Sequence, residues 1–372
     1  MSTVDSVWRE RDTTPDAIDQ ALRDLLHERH AEDASAVPAR VLNLVAVVDA
    51  EWSGEIANRL RGVGRYHASR TIVCAVQRDR ETLDATVSVA AEAQHDPHTP
   101  VALRELVVVT CGERHLAHLD TIVDPLVVTD LATVLWAPHG HISQVGALLR
   151  LAQVVLCDSV DDPDVGEALR QASMLERQAY VVDLAWLRST PWRERVAASF
   201  DPAYLRPELR AISGLTIRHH PDSGAAALLL VGWLASRLDW RTSRLAVDGR
   251  ALRGTLDGGE QEVAVRLEPD PALTTRGLAG VALQIANGRS LRLDRGPGGL
   301  HAHATAPGHP AEPGGAGHPA PGTRRKGVGG RDWTVLGASR GESGILGEGI
   351  RQALLRDPTY APALTAATEM AP

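Results

Sequence analysis

The sequence has 372 residues, of which 39 are Lys or Arg and 47 are Asp or Glu, so its formal net charge at pH 7 is −8. That length is sufficient for two domains of ordinary size, and the acidic balance argues against a general nucleic-acid-binding protein, which needs a basic face. Hydrophobic residues make up 44% of the sequence. No apolar run reaches the roughly 20 residues of a membrane-spanning helix, so we expect no membrane partner.

The start of the sequence and its cysteines both bear on the compartment. The first residues, MSTVDSVWRERDTTPD, are charged and contain no apolar core of a signal peptide. The three cysteines, Cys74, Cys111 and Cys157, are scattered in apolar runs. A sparse, odd set of this kind is typical of buried thiols in a reducing compartment. We therefore expect a cytoplasmic protein.

Strand-like and helix-like patterns alternate over residues 1–200. Thr14 followed by Pro15 predicts the start of a helix, and the nearly continuous apolar run 40–50 predicts a strand covered on both faces. The connection between the next two strands is too short for a helix, so we expect them to pair in an antiparallel way. A polar turn at 65–70 leads into the second predicted strand at 71–77. The later strands are at 82–93, 105–112, 131–140 and 153–162, and the later helices are at 115–128, 142–152 and 164–176. This alternation predicts an α/β sandwich with a mixed sheet.

Residues 181–201, VVDLAWLRSTPWRERVAASFD, begin as the end of an apolar strand and continue as a helix. Thr190 before Pro191 predicts the helix start, with Thr190 as the N-cap and Pro191 at the first helical position. The composition changes after this stretch, which therefore predicts a domain boundary at residue 200.

Residues 201–372 predict a smaller α+β domain. The segment 224–240 is apolar nearly all round, which predicts a deeply buried helix. Short alternating segments follow, separated by Asp-Gly, Gly-Gly and Asn-Gly turns, and they predict an antiparallel meander. The Gly-, Pro-, Ala- and His-rich insert 296–330 cannot bury a core, so we expect it to be disordered. A strand at 331–339 and a helix at 344–357 complete the domain.

A search for catalytic or metal-binding constellations finds only weak ones. The sequence contains no H-E-x-x-H or C-x-x-C motif, and the glycine-rich run 337–349 lacks the Lys and Ser/Thr of a phosphate loop. His301, His303, His309 and His318 lie in low-complexity sequence without cysteine partners, so we expect no metal site there. We expect no cofactor either.

Five side chains stand out as candidates for contact with a partner. His67 and Arg70 lie at the mouth of a predicted strand, where they either hold an acidic partner or form a solvated turn. Trp186, Trp192 and Arg193 either pack in the core or form part of an interface, since Trp and Arg are enriched in interface hot spots.

Four stretches carry a resemblance to a known family: RVLNLVAVVD, YHASRTIVCAV, DLAWLRSTPWRE and GWLASRLDW. In this order they resemble the OpcA family of glucose-6-phosphate dehydrogenase assembly proteins, over roughly the whole chain outside the 296–330 insert. The third and fourth stretches together are the more specific part. The sequence departs from the family at His67-Ala68-Ser69-Arg70, where the family usually has His-Pro-Ser-Arg.

The resemblance implies a protein that is not an enzyme. It implies a non-catalytic assembly factor or allosteric activator that binds glucose-6-phosphate dehydrogenase, which begins the oxidative pentose phosphate pathway. We expect the candidates His67, Arg70, Trp186, Trp192 and Arg193 to be exposed and to contribute to the surface that binds this partner.

Two other classes of function stay open. One is an α/β protein that binds a small anion or nucleotide, or a cryptic enzyme, with its ligand at the strand ends near His139 and Asp158. The acidic residues around Asp158 also fit a solvated loop that caps the next helix. The other class is a redox relay through Cys74, Cys111 or Cys157. The β-branched residues next to these cysteines favour inert, buried thiols instead.

Overall fold

The computed structural model describes residues 6–38, 40–64, 68–91, 102–138, 141, 146–305, 330–336, 341–353 and 355–372, with the backbone alone for 61–64, 330–336 and 341–343. The chain divides into two compact units. The first unit comprises Met1–Asp161, Met174–Leu184 and Glu342–Arg356, and the second comprises Asp162–Ser173, Ala185–Gly341 and Asp357–Pro372. The predicted boundary at residue 200 lies inside the second unit, and as a domain boundary it stays a prediction.

The described helices are α1 Pro15–Glu32, α2 Ser53–Gly64, α3 Leu119–Val123, α4 Val165–Glu176, α5 Leu184–Arg188, α6 Thr190–Ser199, α7 Gly224–Leu238, α8 Gly341–Ala353 and α9 Tyr360–Met370. The strands of the first unit are β1 Ser6–Glu10, β2 Val37–Pro38, β3 Leu42–Asp49, β4 Ser69–Val76, β5 Asp84–Ala91, β6 Ala102–Cys111, β7 Thr133–Trp136, β8 Val154–Cys157 and β9 Tyr180–Asp183. Those of the second unit are β10 Ile212–His219, β11 Ala246–Asp248, β12 Ala251–Asp257, β13 Glu262–Pro269, β14 Leu278–Ile285, β15 Ser290–Gly296, β16 Gly299–Thr305 and β17 Gly330–Leu336. None of the described helices combines the length and the apolar character that crossing a membrane requires.

The first unit contains one mixed sheet, which confirms the α/β prediction. Its strands follow the order β1-β5-β6-β4-β3-β7-β8-β9, with β2 beside β6. The six neighbouring strands β6-β4-β3-β7-β8-β9 are parallel to one another. When these six strands alone are numbered as they occur along the chain, starting with β3 as 1, their order in the sheet is 3-2-1-4-5-6. This is the strand order of doubly wound α/β folds.

The predicted antiparallel pair of β4 and β5 is wrong. β6 lies between them, parallel to β4 and antiparallel to β5. The burial patterns explain the order, because β4 is buried on both faces whereas β5 alternates between buried and half-buried residues. A strand covered on both faces belongs in the middle of a sheet, and an alternating strand belongs near its edge.

Local signals at the start of the chain are confirmed. The Thr14 side chain accepts a hydrogen bond from the backbone N–H of Ala17 at 3.3 Å and caps α1, which buries Ile18, Leu22 and Leu25. The helix predicted at 115–128 is broken instead into 3-10 turns around the short α3.

The second unit is α+β, but its sheet is not a simple meander. The strand order is β11-β12-β13-β10-β14-β15-β16-β17, and β10 is inserted at the centre, parallel to β13 and antiparallel to β14. Hairpins connect the strands on either side of it, as predicted. Gly249, Gly259 and Gly288 in the predicted turns have positive φ, a conformation that glycine adopts without strain.

The helix predicted at 224–240 is confirmed as α7. Eleven of its residues are buried, including Leu228, Leu229 and Leu230. Gly232 lies directly against the backbone carbonyl of Ala363 in α9, so a larger residue there would separate the two helices.

The expectation of disorder throughout 296–330 is wrong for its first part. β16 spans Gly299–Thr305 and pairs with β15 and β17. Leu300, Ala302 and Ala304 are buried at alternate positions, and this period of two fixes the segment as a strand. Residues 306–329, with His309 and His318, lie outside the described residues.

Candidate functional site

The first candidate, Arg70, lies inside the first unit near the start of β4. Its Nε atom donates to Oε2 of Glu105 at 2.7 Å, and its Nη1 atom donates to the carbonyl oxygen of Leu126 at 2.9 Å. Glu105 also accepts from Nε of Arg40 through its other oxygen. Arg70 is 8% exposed and Glu105 is 2% exposed. One buried carboxylate therefore pairs with two guanidinium groups and ties β4 to β6.

The second candidate group surrounds Trp186 in the second unit. The Arg193 guanidinium stacks on the Trp186 ring at 3.5 Å from the centroid, which is a cation–π contact. The indole Nε1 of Trp186 donates to Oδ2 of Asp357 at 2.9 Å, and Nη1 of Arg193 lies 3.7 Å from the same oxygen. Tyr360 contacts Trp186 edge-on, with ring centroids 5.5 Å apart. Together Trp186, Arg193, Asp357 and Tyr360 form what we call the Trp186 cluster, which attaches the start of α9 to α5 and α6.

The charges of the Trp186 cluster are set by burial and by hydrogen bonds. Burial lowers the pKa of Arg193 to about 10, against the opposing effect of the Asp357 carboxylate. Burial acts to raise the pKa of Asp357, but hydrogen bonds from Thr359 and Trp186 and the charge of Arg193 lower it below its ordinary value of 3.8. Both groups are therefore ionised at neutral pH.

The predicted N-cap of α6 is wrong by one residue. Ser189 occupies the N-cap position, and its hydroxyl donates to the carbonyl oxygen of Trp186 at 2.7 Å. Thr190 is already helical, and its Oγ1 accepts from Nη2 of Arg193 at 2.9 Å. The Arg193 side chain folds back over the start of the helix instead of extending into solvent, so it donates hydrogen bonds to the hydroxyl groups of both Ser189 and Thr190.

The expectation that these candidates are exposed is wrong. Arg70 and Arg193 are 8% and 9% exposed, and Trp186 and Trp192 are each 2% exposed. Their partners Glu105 and Asp357 are remote in sequence, which is why the sequence pattern alone missed them. His67 lies outside the described residues. Contact of any of these side chains with a partner protein stays a prediction.

The carboxyl ends of β3 and β7 form the place where folds with this strand order bind ligands. Here β3 ends at Asp49, which Nε2 of His141 contacts at 3.0 Å, and Glu51 and the exposed Trp52 follow before α2 begins. Phosphate-binding turns at this position use glycines and backbone N–H groups. Two carboxylates at the same place do not fit an anionic dinucleotide, because like charges repel.

The alternative site at the ends of β8 and β9 is held by internal hydrogen bonds. Asp183 is 1% exposed and accepts from the backbone N–H of Ser159 at 3.1 Å and from the Ser159 hydroxyl. Asp158 accepts from the backbone N–H of Val160 at 3.4 Å. Asp164 accepts from the N–H of Glu167 at 3.0 Å, so the capping interpretation of the acidic loop is confirmed there. His139 lies outside the described residues.

The three thiols are buried and poorly ionised. Burial raises the pKa of Cys74 and Cys157 well above the ordinary value of 9.0, and it raises that of Cys111 to about 11. A thiolate is the reactive form of cysteine, so these environments disfavour redox chemistry at neutral pH. Among the described residues, no three His, Cys, Asp or Glu side chains are grouped as metal ligands.

Two family profiles match the chain over most of its length. Residues 61–174 match the profile described as the glucose-6-phosphate dehydrogenase subunit N-terminal domain, and residues 179–364 match the corresponding C-terminal domain. The chain belongs to the OpcA family. The resemblance stated from the sequence is thereby confirmed.

Three curated OpcA-family relatives, each named a putative OxPP cycle protein OpcA, match parts of the chain. The relative from Nostoc punctiforme is 29% identical over 43% of this chain and 36% of its own length. Those from Synechococcus elongatus and Synechocystis are 26% and 25% identical, over 48% and 59% of this chain and 41% and 47% of their own lengths. The chain thus spans less than half the length of these relatives. Among solved structures, scyllo-inositol dehydrogenase from Lactobacillus casei shares 9% identity over 90% of this chain and 96% of its own, with a TM-score of 0.42.

Proposed function

We propose that this OpcA-family chain is a non-catalytic partner of glucose-6-phosphate dehydrogenase, which it helps to assemble or activate in the oxidative pentose phosphate pathway. The observation that carries the proposal is the match of both family profiles, each described as a domain of a glucose-6-phosphate dehydrogenase subunit. We place this activity in the cytoplasm, in keeping with the sparse and buried thiols.

The chemistry of the described strand ends supports a role without catalysis. Asp49 and Glu51 occupy the place of a phosphate loop, Asp183 is bound by Ser159, and the cysteines have raised pKa values. Catalytic groups need pKa values matched to proton transfer or nucleophilic attack near neutral pH, together with access to a substrate. At these strand ends Asp49 contacts His141 and Asp183 accepts from Ser159 instead.

Activation by binding requires a preference between two states of the dehydrogenase. A partner shifts an equilibrium only by the difference in its affinity for the two states, so this chain must bind the active form more tightly. The buried candidates Arg70, Trp186, Trp192 and Arg193 then act as positioning residues, which hold the backbone of the binding surface without touching the dehydrogenase. His67 keeps its proposed role as a direct contact.

The test is a coupled assay of the dehydrogenase from the same organism, which follows NADPH formation across glucose 6-phosphate concentrations. We expect a lower apparent KM or a higher maximal rate that saturates as the chain is added. Heat-denatured chain serves as the control for non-specific protein effects. An unchanged rate, together with separate sedimentation of the two proteins, would overturn the proposal.

A second candidate is a protein that binds a small anion or nucleotide, and the strand order 3-2-1-4-5-6 of the first unit favours it. The carboxylates of Asp49 and Glu51 oppose it. The two proposals are separated by thermal melting with inorganic phosphate and with NADP. A ligand that binds only the folded state raises the melting temperature in proportion to the logarithm of its concentration, whereas a pure assembly factor melts at a constant temperature.

A further inference from the structure

The loop 201–211 joins α6 to β10 in the second unit and contains the most exposed aromatic side chain of the described residues. Tyr204 is 73% exposed, whereas Trp52, the next in order, is 42% exposed. No described residue forms a hydrogen bond or a ring contact with the Tyr204 side chain. A single exposed apolar residue is ordinary on a protein surface, so the surroundings of Tyr204 decide what it does.

The side chains around Tyr204 are exposed and apolar as well. Pro202 and Ala203 precede it, and Pro207 follows it in a short 3-10 helix. We call the four residues Pro202, Ala203, Tyr204 and Pro207 the Tyr204 tip. Proline has no backbone N–H group, so the two prolines of the tip offer no backbone donor to water. Removing this tip from water therefore costs fewer hydrogen bonds than removing an ordinary loop.

Buried residues and hydrogen bonds fix the backbone of the tip. Phe200 before the turn and Leu205 within it are 3% and 9% exposed. The backbone N–H of Leu205 donates to the carbonyl oxygen of Pro202 at 2.8 Å. Nε of Arg206 donates to the carbonyl oxygen of Asp201 at 3.1 Å and closes the turn a second time. The backbone that bears Tyr204 therefore has its shape before a partner arrives.

The rest of the loop is attached to the turn between β14 and β15. Nη1 of Arg289 donates to Oε2 of Glu208 at 2.6 Å, and Nδ2 of Asn287 donates to Oε1 of the same carboxylate at 3.3 Å. The backbone N–H of Ala286 donates to the carbonyl oxygen of Ala211 at 2.8 Å. The Glu208 and Arg289 side chains are 19% and 16% exposed, so solvent screens their charges less than those of a fully exposed pair.

These contacts favour Tyr204 as a binding anchor. An ordered loop loses little conformational entropy when it binds, and tyrosine supplies a large contact area with few rotatable bonds. Tyrosine is also one of the residues in which binding energy concentrates at protein interfaces. An exposed aromatic side chain on a fixed backbone fits a concave, apolar pocket of a partner, where its ring is removed from water.

We propose that the Tyr204 tip inserts into an apolar pocket on glucose-6-phosphate dehydrogenase, with Glu208 as a positioning residue that acts through Arg289. This inference rests on the proposed function and names its contact surface. The tip lies within residues 179–364, which match the profile described as the C-terminal domain of a glucose-6-phosphate dehydrogenase subunit. The buried residues of α6, which leads into the same loop, hold the base of this surface.

Alanine at the tip tests the contact in the coupled assay with the dehydrogenase from the same organism. Tyr204→Ala is expected to raise the concentration of chain that gives half-maximal activation by about 30-fold or more, which is the size of a hot-spot effect. Tyr204→Phe keeps the ring and is expected to retain most of the activation.

The matched control is Val247→Ala, at an apolar side chain of the same unit that is 66% exposed. This variant is expected to activate the dehydrogenase as the wild type does. Both alanine variants and Tyr204→Phe are expected to melt at the temperature of the wild type, because the substituted side chains are exposed. A change in activation without a change in melting then belongs to the contact and not to the fold.

The role of Glu208 has a readout of its own. Glu208→Gln removes the ion pair with Arg289 and is expected to weaken activation less than Tyr204→Ala does. Exchanging the two charges, with Glu208→Arg and Arg289→Glu in one chain, is expected to recover the loss. In the Tyr204→Ala background, Glu208→Gln is expected to add nothing, because a positioning residue acts through the side chain that it positions. An equal loss in both backgrounds would overturn the positioning role.

A photo-cross-link identifies what the tip touches. The photoreactive residue p-benzoylphenylalanine at position 204 is expected to give a covalent product of the two proteins when it is irradiated with the dehydrogenase. The same residue at position 247 is the control and is expected to give none. A product at position 204 that contains only copies of this chain would contradict the proposal.

The outcomes separate this inference from the proposed function. A wild-type chain that neither activates the dehydrogenase nor sediments with it would remove both. A wild-type chain that activates, together with a Tyr204→Ala variant that is equally effective at every concentration, would remove the contact at the Tyr204 tip alone.

Discussion

The two buried arginines of the described residues, Arg70 and Arg193, are stabilised in different ways. Arg70 shares a buried carboxylate with Arg40, so its charge is paired inside the sheet of the first unit. Arg193 stacks on Trp186, and its nearest carboxylate, that of Asp357, is 28% exposed. A buried ion pair contributes little net stability when it is intact, but removing one of its partners strongly destabilises the protein. Solvent screens the charges of a partly exposed ion pair, so removing one partner there costs less. The two clusters therefore differ in what their disruption costs.

The largest expected effect is that of Glu105→Gln. The substitution keeps the shape of the side chain but leaves Arg40 and Arg70 without their shared negative charge. Leaving a buried charge unpaired lowers the free energy of unfolding by about 3–5 kcal/mol. Urea denaturation measures it, with Glu113→Gln as control, because Glu113 and its partner Arg78 are 61% and 88% exposed. Equal losses for both variants would contradict the difference in burial.

A smaller effect is expected from Trp186→Phe. Phenylalanine keeps an aromatic face for Arg193 but removes the indole donor to Asp357. A lost hydrogen bond to a charged group lowers the free energy of unfolding by about 1–3 kcal/mol. Trp233→Phe in α7 is the matched control, because Trp233 is half-buried and makes no side-chain hydrogen bond to another described residue. A loss no larger than that of the control would show that the donor to Asp357 contributes nothing.

The smallest effect concerns the pH dependence of Asp357. Its pKa is lower in the folded protein than the ordinary 3.8, so its contribution to stability is complete above that value and disappears as the pH falls through the folded-state pKa. Asp357→Asn is therefore expected to flatten the decline of unfolding free energy below pH 3.8, and to leave the slope near neutral pH unchanged. Parallel curves for the two proteins in acid would contradict this assignment.

Local patterns in the sequence predict local structure well. The Thr14-Pro15 signal marks the start of α1, the apolar runs give β3 and β4, and the apolar helix at 224–240 is α7. These features depend on neighbouring residues. The central position of β10 was not predicted, because it depends on which strands pair, and a strand's own pattern contains no information about its partner.

The same limit explains why the burial of the candidate residues was not predicted. Trp186 and Asp357 are 171 positions apart, and Arg70 and Glu105 are 35 positions apart. Burial of an arginine depends on such a partner, so the sequence around Arg70 and Arg193 gave no sign of it. The sequence Asp357-Pro-Thr359, in which the carboxylate accepts two hydrogen bonds from Thr359, was the available signal for the start of α9.

We propose that this chain acts on glucose-6-phosphate dehydrogenase without catalysing a reaction itself. The most direct measurement titrates the chain into the dehydrogenase at a fixed glucose 6-phosphate concentration below KM and records the initial rate of NADPH formation. We expect a rate that rises and reaches a plateau at a fixed ratio of chain to dehydrogenase subunits, with no NADPH formed by the chain alone. A flat titration, or NADPH formation by the chain without the dehydrogenase, would contradict it.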